Sequence, residues 1–288
     1  MNSSTQDSAF GAEAGRQLPF SETLDSAELA PVALRASLAD WLERHTPVCP
    51  MIFTPAFSTT GLSCPASVFV VSSGHWLWLA EEEDGTVRIC TAAHSAIRSI
   101  ELTQVLLQGC LQVFAANARA KILFNVVGME FFVAAVQKML DAAPAVPVEQ
   151  RGSEVAPSSL GGLSFKLRST LTDFVGARHP LRRITSWSQA CFAGRTIPGG
   201  LLALTDRHLC LLREGLPSGE DEAAERDLSS YGKEIVYLNR FSTISWTCEL
   251  GENLATLAIS VAGTAVLEFE VPETDLAEVE ALLNASVV

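Results

Sequence analysis

Leu201-Leu-Ala-Leu-Thr-Asp-Arg-His-Leu-Cys-Leu-Leu-Arg213 is the stretch that decides how this chain is read. Two apolar runs of strand length flank a polar Thr205-Asp-Arg207 step, which predicts two buried strands joined by a tight turn. An offset of 133 residues brings an equivalent pattern into line, with Ser72-Ser-Gly-His75 opposite Thr205-Asp-Arg-His208. Leu34 to Glu81 then aligns with Leu167 to Glu214 without a gap, and ten of the 48 positions are identical where composition alone gives roughly three. The expectation is an internal duplication.

Working outward, each copy opens with a predicted amphipathic helix, Ala27 to Arg44 and Phe165 to Ala177, ended ahead of Pro47 and Pro180. Seven short strand-like runs follow in each copy. Both copies close on helical spacing, Phe132-Val133-Val136-Met139-Leu140 in the first and Leu276-Val279-Leu282-Leu283 in the second. The second copy carries an insertion within Leu216 to Arg240, whose acidic run Glu220-Asp221-Glu222 reads as a solvated loop. The expected organisation is a flexible tail over 1–25, a first module over 26–142, a Pro/Gly/Ser-rich linker over 143–160 and a second module over 161–288.

The segment Leu201 to Arg213, with Phe241-Ser-Thr-Ile-Ser-Trp246 after it, resembles the strand–turn–strand and the isoleucine-centred strand of the bacterial pleckstrin-homology-like (PH-like) family. That resemblance implies an α+β, mostly β, protein of two tandem PH-like units. Each would be a seven-stranded bent sheet or partly open barrel with a leading helix and a capping C-terminal helix. Where PH-like modules bind phosphoinositides they use basic residues around the first strand and the following loop. In this sequence Arg182, Arg183 and Arg195 occupy those places.

The chain is acidic, with a net charge of −13, which argues against nucleic acid as a partner. Between Lys166 and Glu214, however, eight basic residues face three acidic ones. Screening confines charge effects to about 8 Å, so such a patch can hold an anion locally. A structural alternative pairs these arginines with the acidic insertion and with Glu278 and Glu280. Mean hydropathy is +0.25, yet no apolar run reaches the roughly 18 residues a bilayer helix needs, so no integral membrane segment is expected. The N-terminus lacks the pattern of a secretory leader, and the seven cysteines show no metal-ligand spacing; both point to reduced thiols in the cytoplasm.

No catalytic residue, metal site or cofactor is expected. His75 and His208 recur in both copies but fit hairpin positions. Asp173, His179 and Cys191 make a paper triad that any chain of this size offers by chance. Gly199-Gly200 has neither the lysine nor the spacing of a phosphate loop and suggests a bend or close approach within a strand. Trp76 and Trp78, and the helix pair Trp41 and Phe174, read as core. The function expected is a non-enzymatic interaction module for a protein or peptide partner, taken up at a sheet edge beside the C-terminal helix. The alternative is anionic-lipid binding through Arg182, Arg183 and Arg195.

Overall fold

A computed structural model of the chain describes residues 20–59, 62–143, 153–176, 179–192, 195–214, 232–239 and 243–286. They divide into two compact units, one holding most of the described residues up to 143 and the other most of those from 153 onward.

In the first unit, strand β1 (Glu22–Leu24) precedes helix α1 (Val32–Leu42). The predicted helix from Ala27 is broken because Pro31, at φ −50°, precedes the first turn; Ala27–Leu29 forms a separate 3₁₀ turn. Then come β2 (Met51–Thr54), β3 (Phe57–Thr59), β4 (Leu62–Cys64), β5 (Ser67–Val71), β6 (His75–Glu81), β7 (Val87–Ala93), β8 (Ile97–Val105), β9 (Gln108–Ala115) and β10 (Arg119–Asn125), followed by helix α2 (Met129–Asp141). Strands β1, β2, β5, β6 and β7 make one antiparallel sheet in that order. Leu34, Leu38 and Trp41 of α1 pack on its Val68, Val70, Leu77 and Leu79. Phe132 of α2 stacks on Phe124 at 4.0 Å between ring centroids.

The second unit opens with α3 (Phe165–Leu171), capped by the Ser164 hydroxyl, which accepts from the Leu167 N–H, and continued by a π-helical turn over Thr172–Gly176. Its strands are β11 (Leu181–Trp187), β12 (Ala190–Phe192), β13 (Arg195–Ile197), β14 (Gly200–Thr205), β15 (His208–Glu214), β16 (Lys233–Asn239), β17 (Ile244–Leu250), β18 (Leu254–Val261) and β19 (Thr264–Pro272), and helix α4 (Leu276–Ser286) closes it. Every residue of β14 is buried, which explains its unbroken apolar run; β18 alternates, and its Ala255, Leu257, Ile259 and Val261 face the core. Val279, Leu282 and Leu283 of α4 join that core with Trp187 and Phe269, whose rings stack at 5.7 Å. Gly200 admits the Trp187 indole: a Cβ there would lie 2.3 Å from the ring, so the close approach expected of this glycine is what occurs.

The expectation of two matching seven-stranded PH-like units is wrong. The described strands form open sheets of five, seven, three, two and two strands, none closed into a barrel, and the tandem PH-like resemblance falls with that. Strand bounds do recur at the 133-residue offset, with β3, β4 and β6 matching β12, β13 and β15 end to end. The sheets they enter nevertheless differ in size, since β5 and β6 belong to the five-stranded sheet and β14 and β15 to the seven-stranded one. The physical reason is that apolar alternation specifies strands and turns locally, whereas sheet extent depends on which backbone edges meet. That choice leaves no side-chain period. An α+β architecture stands.

Candidate functional site

The Thr205-Asp-Arg207 turn is tied by one hydroxyl. Thr205 Oγ1 accepts from the N–H groups of Arg207 (3.1 Å) and His208 (2.9 Å) and donates to the His208 carbonyl (3.2 Å). Ser72 does the same in the first unit, accepting from the His75 N–H at 3.1 Å and donating to its carbonyl at 3.0 Å. Ser72, opposite Thr205 in the aligned sequences, therefore supplies the same hydroxyl tie to its turn.

Holding the turn this way aims Asp206 at β11. The register of β11 against β14 shifts between Leu181 and Arg183, leaving Arg182 in a bulge. Its guanidinium forks onto the Asp206 carboxylate, with Nε to Oδ1 at 2.6 Å and Nη2 to Oδ2 at 2.8 Å. Both side chains are largely buried, at 16% and 8% exposure, so the pair sits where a lone charge would be costly. Asp206, through its hydrogen bond and then its charge, with Glu154 adding to it, raises the guanidinium pKa further above its already high value.

Strand β11 ends its sheet, with β14 on one side. Beside it lie residues 153–156, which belong to no helix or strand, and the Val155 N–H donates to the Leu181 carbonyl at 2.8 Å. Between that segment, β11 and α4 lies a groove of about 590 Å³. It is lined by Arg182, Arg183, Ile184 and Thr185 of β11 and by Glu278, Ala281 and Leu282 of α4. Arg183 is exposed, and Thr185 Oγ1 donates to Glu278 Oε2 at 3.4 Å.

Of the three arginines picked from the sequence, Arg182 and Arg183 line this groove, one engaged by Asp206 and one facing solvent. Arg195 lies on β13, paired through its backbone with Phe192, and its side chain is outside the described residues. So is the acidic run Glu220-Asp221-Glu222. Arg182 is engaged by the turn aspartate, a pairing that charge counting along the sequence does not show. The aspartate's adjacency to an arginine on the neighbouring strand could have been found by pairing the two predicted strands.

The paper triad is otherwise occupied. The Asp173 carboxylate accepts from Ser169 at 3.1 Å, Cys191 is exposed on β12, and the buried His179 ring meets His208 edge-on at 5.6 Å. His75 and His208 are held through their backbones, while the His208 ring is buried between His179 and Tyr237. Trp41, Trp76, Trp78 and Phe174 are buried, as core readings require. Among the described residues no group of three or more His, Cys, Asp and Glu side chains is placed to hold a metal ion. No helix among them is long and apolar enough to cross a membrane. A second, larger groove of about 1350 Å³ in the first unit is lined by Glu81, Glu82, Glu83 and Asp84 beside Phe57 and Pro65.

No family model and no curated protein matches this sequence.

Proposed function

We propose that this protein is a non-enzymatic binding module of the cytoplasm that takes up an extended peptide along the outer edge of β11. One observation carries the reading: β11 is an end strand beside α4, and a stretch of backbone outside any helix or strand already donates an N–H to it, at Leu181. Main-chain hydrogen bonds along such an edge supply affinity, and side-chain pockets supply selectivity. Here Ile184, Ala281 and Leu282 favour an apolar residue, and the exposed Arg183 favours an acidic one. All seven cysteines are free thiols, three of them buried, which supports a reducing compartment. Because Asp206 already neutralises Arg182, anionic-lipid adsorption draws less support from the same surface.

The test is selection of binding peptides from a random display library, followed by hydrogen–deuterium exchange with a selected peptide bound. Slower exchange over Leu181–Trp187 and weaker binding to Arg183→Glu are expected. Protection that leaves β11 unchanged overturns the reading.

A further inference from the structure

We infer that residues 153–156 are a built-in occupant of the β11 edge, so that an outside peptide binds by displacing them. This rests on the peptide-binding reading above and adds its regulation. Ser153-Glu-Val-Ala156 has the chemistry that the groove selects, an acidic residue next to an apolar one, and its Ala156 is in extended backbone. The Val155 N–H bonds to Leu181 as the first rung of an added strand would. The Glu154 charge acts on Arg182, and both residues line the groove.

The hold is slight. Ser153, Glu154 and Ala156 are exposed and Val155 is half-buried, so little apolar surface anchors the segment. One intramolecular backbone hydrogen bond contributes about 1 kcal/mol net. A peptide that offers several rungs outbids a single one. The tethered segment competes at an effective concentration of order millimolar, which is enough to hide the edge from weak ligands and not from good ones.

The experiment uses the full chain and a fluorescein-labelled peptide Ser-Glu-Val-Ala-Pro-Ser, the chain's own sequence from Ser153 to Ser158. Val155→Pro removes the N–H that bonds Leu181 in a segment that belongs to no helix or strand, so no ladder of the fold is broken. Binding to this variant is expected to be about fivefold tighter than to wild type, the equivalent of the lost internal hydrogen bond. Glu154→Lys, which keeps the N–H and reverses the charge facing Arg182, should shift affinity in the same direction. Unchanged deuterium uptake over Gly200–Glu214 in both variants establishes that the unit is intact. Equal binding to wild type and variants overturns the displacement mechanism and leaves the peptide site standing. Binding to none of them overturns both.

Discussion

Lowering the pH from 7 to 5 acts on the second unit through His208. Its ring is 3% exposed, packed between His179 and Tyr237, and burial, followed by the nearby positive charges of His179 and Arg207, depresses its pKa from 6.5 to about 3. A histidine with a lowered folded pKa takes up its proton more readily when unfolded. Its contribution is therefore complete above pH 6.5 and is lost as pH falls from there toward 3. Each pH unit across that window is worth about 1.4 kcal/mol, so at pH 5 the loss is about 2 kcal/mol, or roughly thirtyfold in the opening equilibrium. Hydrogen exchange over Gly200–Glu214, corrected for intrinsic rates, reads that change directly. His208→Leu removes the titrating group and leaves the Thr205 hydroxyl its backbone partners at residue 208. Its protection at pH 5 relative to pH 7 should fall roughly thirtyfold less than that of wild type. Parallel pH dependence in the two proteins would refute the reasoning.

Asp206→Ala leaves the largely buried Arg182 without its carboxylate and should cost about 3 kcal/mol by urea unfolding, while Arg182→Met combined with Asp206→Leu should recover most of that loss. Thr205→Val removes the hydroxyl tie and should destabilise by about 1–3 kcal/mol; Thr205→Ser, which has the group Ser72 uses, should stay close to wild type in the same measurement. Gly200→Ala drives a methyl into the Trp187 indole and should cost about 1–3 kcal/mol, with altered Trp187 fluorescence. In a thiol-labelling time course Cys191, exposed on β12, should react early; Cys210, buried and with its pKa pushed far up by burial, should react only on unfolding.

The longer strands were legible because each carries its own signal. The two apolar runs flanking Thr205-Asp-Arg207 are β14 and β15, both largely buried as their unbroken apolar pattern requires. The three-residue strands β1, β3, β4, β12 and β13 are too short for a period to register. The size of the sheets was not legible, for the reason given by the edges. The groove was half legible: Arg182 and Arg183 stood out by charge, but the part lined by residues 153–156 reads as linker from its composition, and only the Val155–Leu181 hydrogen bond places it.

The hydroxyl ties at Ser72 and Thr205 also bear on how the chain folds. Each joins residues three apart, so the loop it closes costs little chain entropy, and hairpins of this kind form in about 1–10 μs. The β5–β6 and β14–β15 hairpins are thus the cheapest places to begin, and both are built almost wholly of residues that end up buried. A slower unfolding limb without a faster folding limb on going from Thr205→Val back to wild type would place that tie late on the path; a faster folding limb would place it in the nucleus.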